Sequence, residues 1–471
     1  MLNFTLGQIA QITGGRVVGD ADLVIKSVST DSRTKSSDGL FAAIVGERVD
    51  GHDFVAQAAK NGALAALVSR EITGPGVVVP ALNSEIDPVV YALGKISAHY
   101  RAELSKANVI GITGSSGKTS TKDIIGQVLA TSGETIAPPG SPNNELGLPL
   151  TILSAPTTTK NLVLEMGMRG LGHISYLCEI ARPNIAVVTN VGQAHIGEVG
   201  SIENIAKAKS EIVQGLGHFD WAVLNHDDPN VIAMREVTSA QVITYGFGTG
   251  ADIRATNLQT MPDGTYAFDV QFENEENNVR LPLLGEHNVL NALAAIGVGS
   301  ICGMEIAQIC QALSTVKSKS PWRMEKKVLP SGVTIINDAY NANPESMAAA
   351  LRALSVIAPT GHSWAVLGEM AELGEFSLEQ HDAIGRLAVR LDIAHLVVVG
   401  LSAKAMYLGA LQEGSFNAEA VWFPEFSSAC DYILERVASP DVLLFKASRI
   451  GRFEELAQLV SESLTDEVSS Q

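Results

Sequence analysis

The residues of this sequence that are best suited to chemistry stand together in GITGSSGKTS, residues 111–120. Glycines at this spacing let a backbone wrap around phosphate oxygens and direct its N–H groups at them. The apolar run NVIGIT before them predicts a strand, and TSTKDIIGQVLATSG after them predicts a helix. Lys118 can neutralise phosphate charge, and the Thr119 hydroxyl can coordinate Mg²⁺. The predicted nucleotide contacts of this loop are Gly114, Ser115, Ser116, Gly117, Lys118, Thr119 and Ser120.

The spacing of the loop is GxxGxxGK[ST], a variant in which Ile112 stands where the common phosphate-loop pattern has its first glycine. A Gly-rich turn with a coincidental lysine is the alternative, and the strand and helix on either side argue against it. A phosphate loop by itself indicates only that a nucleoside triphosphate is used. A mechanical ATPase, a kinase and a ligase therefore stay open on this motif alone.

Composition and charge exclude several other classes of protein. The 471 residues carry 33 Lys and Arg against 51 Asp and Glu, a net charge of -18, which argues against a broad nucleic-acid or anionic-membrane surface. No stretch approaches the roughly 20 apolar residues of a spanning helix, and the N-terminus lacks the pattern of an export signal. We therefore expect a cytoplasmic protein without membrane insertion. The four cysteines are far apart, which indicates neither a disulfide framework nor a zinc site: Cys178, Cys302, Cys310 and Cys430.

Alternating strand and helix patterns predict an α/β protein of three domains. Residues 1–83 predict a small domain of short strands and helices, and residues 84–107 a helical connector. Residues 108–317 predict a central phosphate-loop domain with a mostly parallel sheet covered on both faces, and an antiparallel insertion at 251–280. Residues 318–471 predict a Rossmann-like third domain.

Further motifs occur along the chain in an order that resembles the Mur ligase family. Five of them follow the phosphate loop: SPNNELGLP at 141–149, LEMG at 164–167, TNVGQAH at 189–195, AKAKSEI at 206–212 and GEHNVLNALAA at 285–295. Others lie in the first and third domains: STDSR at 29–33, VDGHDF at 49–54, WRME at 322–325, NDAYNANPESM at 337–347 and LGEMAELG at 367–374. The resemblance therefore covers essentially the whole chain.

The resemblance implies an ATP-dependent, Mg²⁺-requiring ligase of peptidoglycan precursor synthesis. NNELGLP and NDAYNANP resemble the member that joins D-alanyl-D-alanine to UDP-N-acetylmuramoyl-tripeptide through an acyl phosphate. The DNPR motif typical of the member that adds the third amino acid is absent from the sequence. A sister ligase with a different incoming amine is the closest alternative, and a non-catalytic protein switched by nucleotide is the other. We expect a monomer.

Besides Lys118, the family's catalytic positions fall on His195, Lys209 and Arg323, and its metal positions fall on Thr119, Glu165, His195 and Lys209. Glu165 would join Thr119 in holding Mg²⁺, although a Glu at a strand end is often a solvated rim residue. His195 would bind a second Mg²⁺, and as an isolated residue it would be an ordinary loop histidine. Lys209 would carry a carbamate that helps to hold this second ion; a solvated helix face is the plainer interpretation. Such a modification needs a shielded, neutral amine.

The family's remaining nucleotide contacts fall on four residues. Arg323 would reach the ATP phosphates and Asp338 the ribose hydroxyls, so the site would form when the third domain closes. An interdomain ion pair is the alternative role for Arg323. Asn291 would meet the adenine and Asn190 would lie near the nucleotide, whereas an Asn at a helix start can equally cap or pack.

The resemblance also implies a surface for the UDP-sugar peptide. A turn rich in Ser and Asp is usually only a turn, so these residues carry the prediction through the resemblance alone. The residues implied are Ser29, Asp31, Ser32, Arg33, Asp50, Gly51, His52, Asn143 and Asn144.

Overall fold

The chain folds around three larger β-sheets, each with its own helices, and a small two-stranded sheet, in the part that the structure describes. The structure is a computed structural model, and it describes residues 2–83, 86–194, 196–273, 275–414 and 419–469, with side chains up to residue 465. The prediction of a three-domain α/β fold is confirmed. The exact domain boundaries stay a prediction, and residues 84 and 85, at the start of the predicted connector, lie outside the described residues.

The first domain contains a five-stranded sheet of order β2-β7-β6-β5-β4, in which β4, β5, β6 and β7 are parallel. Its elements are β1 Phe4–Thr5, α1 Leu6–Thr13, β2 Arg16–Val18, β3 Val24–Ile25, β4 Ser27–Ser29, β5 Gly39–Ala42, α2 Val55–Lys60, β6 Ala63–Val68 and β7 Gly76–Val78. Strands β4 and β5 are neighbours and parallel, so the loops that follow them leave the same edge of the sheet.

The middle domain is built on a nine-stranded sheet that is preceded by a long helix. Its elements are α3 Pro88–Glu103, β8 Asn108–Thr113, α4 Lys118–Ala130, β9 Thr135–Ile136, α5 Gly147–Ser154, β10 Asn161–Glu165, α6 His173–Ala181, β11 Ile185–Val188, α7 Ile196–Val199, α8 Ile202–Gln214, β12 Trp221–Asn225, α9 Pro229–Ile232, β13 Gln241–Gly246, β14 Ile253–Thr260, β15 Tyr266–Phe272, β16 Glu275–Leu281, α10 His287–Ile301 and α11 Ile306–Leu313.

The strand order of this sheet is β16-β15-β14-β13-β12-β11-β8-β10-β9. The strands from β9 to β14 are parallel, and β15 and β16 continue the sheet as an antiparallel hairpin, which confirms the predicted insertion. In β8, Val109 packs into one apolar cluster while Ile110 and Ile112 pack into another on the opposite face. Burial on both faces explains why the strand is apolar throughout.

The third domain has a six-stranded sheet of order β17-β18-β22-β19-β20-β21, parallel except for the edge strand β17. Its elements are β17 Glu325–Val328, β18 Thr334–Asn337, α12 Pro344–Ile357, β19 Ser363–Leu367, α13 Ser377–Arg390, β20 His395–Val399, α14 Lys404–Glu413, β21 Ala420–Phe423, α15 Phe426–Leu434, β22 Val442–Lys446 and α16 Phe453–Ser469. Within the described ranges, no helix is long and apolar enough to span a membrane.

Helix α3 fastens the first domain to the middle one through Tyr100. Its ring is fully buried and lies edge-on to Phe4, at 6.2 Å between centroids. Its hydroxyl donates a hydrogen bond of 2.6 Å to the carbonyl of Ala155, which follows α5. One side chain therefore packs against the first domain and bonds to the second.

Removing the Tyr100 hydroxyl should cost far less than removing the ring. Tyr100→Phe leaves the Ala155 carbonyl without its donor, at about 1–3 kcal/mol. Tyr100→Ala also empties a packed volume, at about 3–5 kcal/mol. Melting temperatures measured by calorimetry should fall in that order, and equal losses for the two variants would contradict this division.

Candidate active site

The phosphate loop joins the end of β8 to the start of α4 and depends on two glycines. Gly114 has φ 153°, and a Cβ built on it would lie 1.8 Å from Thr189 Oγ1. Gly117 caps α4 with φ 79°, and a Cβ there would lie 3.0 Å from Asn291 Oδ1. Neither position admits a side chain without strain, so the close approach of the loop to Thr189 and Asn291 requires glycine at both places.

The motif TNVG after β11 holds the phosphate loop in place. Asn190 Oδ1 accepts from the Ser116 N–H at 2.9 Å, and its Nδ2 donates to the Ser116 carbonyl at 3.1 Å. Thr189 Oγ1 donates to the same carbonyl at 2.7 Å. Asn190 is therefore next to the phosphate loop, and its amide binds the loop backbone in this structure; its contact with a nucleotide stays a prediction.

Lys118 folds back over the loop that precedes it. Its ammonium donates to the Gly114 carbonyl at 2.7 Å. Burial lowers the pKa of Lys118, while the charge of Glu165 acts to raise that pKa and Arg323 to lower it. The lysine is half-buried in the cavity wall, where its attraction for an anionic phosphate is stronger than in bulk water.

Glu165 ends β10 with its carboxylate turned towards the loop. Thr119 Oγ1 donates to Oε2 at 2.9 Å, and Ser141 Oγ and Asn143 Nδ2 donate to Oε1 at 2.5 and 2.9 Å. The side chain is 2% exposed, which excludes a solvated rim position. These hydroxyl and carboxylate oxygens are the ligand type that Mg²⁺ prefers, so the residues fit such an ion.

Among the described residues, no cluster of three or more His, Cys, Asp or Glu could hold a metal ion by itself. A cation at Glu165 must therefore complete its shell with hydroxyl groups, water or phosphate oxygens. This is the usual way in which Mg²⁺ is bound beside a nucleotide.

The third domain reaches the phosphate loop through Arg323, which lies before β17. Its Nη2 donates to Thr119 Oγ1 at 3.3 Å, and its guanidinium lies 4.2 Å from the centre of the Tyr340 ring. Its Nε is buried and has no hydrogen-bond partner in the part of the chain that the structure describes. Asn343 adds a second link, from Nδ2 to the Ser115 carbonyl at 3.3 Å. The domains are thus closed over the loop.

Asp338 follows β18 and is paired within its own domain. Lys446 Nζ donates to Oδ2 at 2.6 Å, and the Met324 N–H donates to Oδ1 at 3.0 Å. Burial lowers the pKa of Lys446, and the charge of Asp338 acts to raise that pKa. The pair lies at the wall of the cavity above the loop, so a ribose hydroxyl would meet a carboxylate held in place by Lys446.

A cavity of about 300 Å³ lies between the middle and third domains. The predicted residues that line it are Ser115, Ser116, Gly117, Lys118, Thr119, Ser120, Asn143, Glu165, Asn190, Asn291, Arg323 and Asp338. Sequence reasoning gave no role here to other lining residues: Ser141, Asn225, Tyr245, His287, Asn288, Tyr340, Asn343 and Lys446. Position within the matched motifs could have indicated Ser141, His287, Asn288, Tyr340 and Asn343; the other three belong to plain strands or strand ends.

Asn291, in α10, is bound to other protein groups in the structure. It accepts from Thr121 Oγ1 at 2.9 Å and donates to Asn288 Oδ1 at 2.9 Å. The side chain of Asn288 in turn donates to the Leu284 carbonyl at 2.8 Å. Asn291 therefore ties α10 to α4, and both asparagines line the cavity, so packing and nucleotide contact are compatible roles.

Lys209 lies in α8 with 1% of its surface exposed, which excludes the solvated helix face. Burial and the charge of Lys118 lower its pKa well below the usual value for lysine, and Glu345 acts to raise that pKa. Glu345 comes from the third domain, and its Oε1 accepts from the Gln193 N–H at 2.7 Å. His195, the other residue predicted for the second metal ion, lies outside the described residues.

A second cavity, of about 430 Å³, also has Lys118 in its wall. Lys118 and Asn143 line both cavities. The remaining wall of the second cavity contains Ile86, Asn144, Glu145, Gly167, Met168, Arg169, Gly172, His173, Tyr176, Leu177 and Glu372. Asn144 lines it while its Oδ1 accepts from the Gly147 N–H at 2.8 Å, which starts α5.

The first-domain residues predicted for the substrate lie at one edge of its sheet, after β4 and β5. Asp31 forms an exposed ion pair with Arg33 at 2.8 Å, and hydrogen bonds from Arg33 lower the pKa of Asp31 to about 2. The Asp31 N–H donates to Ser29 Oγ at 3.1 Å. The Ser32 carbonyl accepts from Asn61 Nδ2 at 2.7 Å. Arg33 and Asp31 are exposed and able to contact a ligand.

The second predicted patch of this edge, at residues 50–52, is held in place by more contacts with the rest of the first domain. His52 is buried, with Nδ1 2.7 Å from Asp50 Oδ1 and Nε2 accepting from the Ser69 N–H at 3.0 Å. Both ring nitrogens therefore have protein partners, and Nδ1 carries the proton. A Cβ on Gly51 would lie 2.6 Å from the Ile44 carbonyl oxygen, so only glycine fits there.

Comparison with known families agrees with this arrangement of domains. Residues 24–112 match the catalytic domain of the Mur ligase family, residues 112–299 its middle domain, and residues 322–449 its glutamate ligase domain. The chain belongs to the Mur ligase family. The three matches follow the order of the three sheets, so the predicted family is confirmed.

Individual Mur ligases are similar over almost the full chain. The UDP-N-acetylmuramoyl-tripeptide--D-alanyl-D-alanine ligase of Mycobacterium tuberculosis strain H37Rv is 42% identical, with 95% of this chain and 96% of that protein covered. The ligase of the same name from Bacillus subtilis is 36% identical, with 98% of this chain and 99% of that protein covered.

Solved structures of Mur ligases have the same fold. Crystal structure I of MurF from Acinetobacter baumannii superposes with a TM-score of 0.88 at 32% identity, covering 98% of this chain and 99% of that one. MurF from Thermotoga maritima in complex with ADP superposes with a TM-score of 0.79 at 29% identity, covering 94% of this chain and 98% of that one.

Gly114→Ala should disable the phosphate loop. The new Cβ would collide with Thr189 Oγ1, so either the loop or the end of β11 must shift. We expect ADP affinity, measured by calorimetry, to fall about tenfold or more, since a misplaced loop loses charge-assisted hydrogen bonds to the phosphates. Gly170→Ala is the matched control, because a Cβ there meets nothing within 4 Å. Unchanged ADP affinity in Gly114→Ala would contradict the role of the loop.

Proposed function

We propose that the protein is an ATP-dependent ligase that joins D-alanyl-D-alanine to the terminal carboxylate of UDP-N-acetylmuramoyl-tripeptide in peptidoglycan precursor synthesis. The observation that carries the proposal is the pair of cavities that meet at Lys118 and Asn143. One cavity has the phosphate loop as its floor, and the other is open to a second substrate. A phosphoryl group at the junction would be next to both.

In this proposal ATP occupies the cavity between the middle and third domains. Lys118 and the backbone of residues 114–120 bind the phosphates, Arg323 approaches them from the third domain, and Asp338 binds the ribose. The unpartnered Nε of Arg323 supports this role, because a buried donor without a partner costs free energy that an incoming phosphate would recover. Asn190 holds the phosphate loop beside the nucleotide, and Asn291 holds α10 there.

Thr119 and Glu165 would hold Mg²⁺, which would supply positive charge next to the transferred phosphoryl group. We further propose that a second ion is held by His195 and by a carbamate on Lys209. The depressed pKa of Lys209 supports this, because only the neutral amine adds CO₂. The carbamate also replaces a buried ammonium near Lys118 with an anion, which relieves the repulsion between two neighbouring lysines.

The UDP-sugar peptide would extend from the first domain to the second cavity. Asp87, the N-cap of α3, accepts from the Val45 N–H at 3.3 Å, and its neighbour Ile86 lines this cavity. The edge that carries the predicted substrate residues is therefore close to the start of the cavity. The substrate contacts proposed are Ser29, Asp31, Ser32, Arg33, Asp50, Gly51, His52, Asn143 and Asn144. In this assignment His52 acts by holding Asp50 in place.

The reaction has two steps. A terminal carboxylate oxygen of the tripeptide attacks the γ-phosphorus of ATP, the bond to the bridging oxygen breaks, and ADP leaves with both its phosphates. The amine of D-alanyl-D-alanine then attacks the carbonyl carbon of the acyl phosphate. The bond to phosphate breaks, the nitrogen loses its proton, and an amide remains. Domain closure keeps water from the acyl phosphate between the steps.

ATP and UDP-linked precursors are substrates of the cell interior, so we propose a cytoplasmic location; the expected monomer stays a prediction. Phosphate release by the purified protein with Mg²⁺, ATP and UDP-N-acetylmuramoyl-tripeptide tests the proposal. Release should require D-alanyl-D-alanine and should be accompanied by the pentapeptide product. Release with a single amino acid instead would indicate a sister ligase, and the absence of phosphate release with every amine tested would favour a nucleotide-switched protein.

Carbamylation of Lys209 can be tested directly. In ¹³C-bicarbonate the protein should give a carbamate signal by NMR, and Lys209→Ala should remove both this signal and most of the activity. Lys207→Ala is the matched control, since Lys207 is exposed on the same helix. A wild-type protein that is fully active without the signal would rule the carbamate out.

A further inference from the structure

Glu372 brings a carboxylate from the third domain to the cavity proposed for the tripeptide. It belongs to the motif LGEMAELG, residues 367–374, after β19. Among the described residues that line this cavity, it is the one from the third domain; the others lie in or just before the middle domain. This carboxylate lines the cavity in the arrangement in which the third domain also contacts the phosphate loop.

The backbone holds Glu372 in a conformation that L-residues rarely adopt. Its φ is 64°, in the left-handed region. The neighbouring backbone is fixed on both sides: the Glu372 carbonyl accepts from the Gly197 N–H of α7 at 3.2 Å, and the Ala371 N–H donates to Ser448 Oγ at 2.8 Å. Strain of this kind costs about 1–3 kcal/mol and persists where surrounding contacts impose it, often at ligand sites.

The negative charge of Glu372 acts on Lys118, where the two cavities meet. It acts to raise the pKa of Lys118, so the carboxylate lies within electrostatic reach of the lysine that lines both cavities. An amine substrate enters as an ammonium ion and must approach the acyl carbon beside Lys118, which repels it. A nearby carboxylate offsets this repulsion and provides a charge-assisted hydrogen bond.

A second carboxylate, Glu145, also lines the cavity, but it precedes α5 in the middle domain. It is present whether or not the third domain has closed, so it cannot couple arrival of the amine to closure. Arg169 and Lys118 are the cations of this cavity and would repel an ammonium group. The position of Glu372 therefore favours it as the ammonium contact.

We propose that Glu372 binds the ammonium group of the incoming amine substrate and holds it beside the acyl carbon, which the nitrogen attacks after the ammonium has lost a proton to solvent. This assignment rests on the proposed function and adds one residue to it. The ligand chemistry is a primary ammonium group, and Glu372 acts in the second step without taking part in the first.

Steady-state kinetics of Glu372→Gln test the assignment. The KM for D-alanyl-D-alanine should rise about tenfold or more, as expected for loss of a charged hydrogen-bond partner, while the KM for ATP and for the UDP-tripeptide stays unchanged. Glu375→Gln is the matched control, because Glu375 is exposed in the same segment and lines neither cavity. A rise confined to the UDP-tripeptide, or no rise at all, would overturn the proposal.

Trapping of the acyl phosphate with hydroxylamine, without any dipeptide, separates this proposal from the proposed function. Glu372→Gln should form the hydroxamate at the wild-type rate, because the ammonium group enters afterwards. Loss of the hydroxamate in this variant alone would place Glu372 in the first step and overturn the inference. Absence of hydroxamate in the wild-type protein would instead overturn the proposed function.

An amine-free analogue makes the test independent of the folding of the variant. Propionyl-D-alanine lacks only the ammonium group of D-alanyl-D-alanine, and with wild-type protein it should bind about tenfold more weakly or worse. In Glu372→Gln the two ligands should bind alike, since the partner of the ammonium is gone. Equal binding of both ligands by the wild-type protein would also overturn the proposal.

Discussion

The hydroxyl group of Thr119 joins two domains of this protein. It donates a hydrogen bond to Glu165 in the middle domain and accepts one from Arg323 in the third. Through Glu165 the same contact extends to Ser141 and Asn143, which belong to the loop before α5. A metal ion or phosphate that enters here meets all three segments together. The middle domain, the third domain and the loop that lines both cavities therefore meet at one hydrogen-bonded cluster.

Buried positive charge is the second physical feature of the site. Lys118 and Lys209 both have a depressed pKa because burial disfavours their charged forms and because each lies near other cations. Bound phosphates would stabilise the charge of Lys118. Lys209 lines neither cavity, and its proposed conversion to a carbamate would remove the buried positive charge instead. The same environment thus supports two different roles for two lysines.

The local parts of the site could be predicted from the sequence, because they depend on neighbours in the chain. The phosphate loop follows from Gly114, Gly117 and Lys118 between an apolar strand and a helix, and the structure brings them to one end of the sheet. Resemblance to the Mur ligases added the more distant residues Asn190, Arg323 and Asp338, and these also line the cavity.

Contacts between remote segments could not be predicted from sequence pattern. Arg323 and Thr119 are 204 residues apart in the sequence, and the paired residues Lys446 and Asp338 are 108 residues apart. Tyr245 lines the nucleotide cavity although its strand has no feature that distinguishes it from other buried strands. The burial of Lys209 could not be predicted from the local pattern either, since the residues around it in the sequence are those of an ordinary polar helix. Such features arise from tertiary packing, which local patterns do not encode.

The measurement that tests the account most directly is acyl-phosphate formation by Arg323→Ala, followed by hydroxylamine trapping in the absence of the dipeptide. If the third domain completes the phosphate site, the rate should fall about 100-fold or more while ADP affinity changes far less. Arg352→Ala, at an exposed position of α12, should behave as the wild type. Acyl phosphate formed by Arg323→Ala at the wild-type rate would mean that the third domain serves only the second step, and would contradict the account.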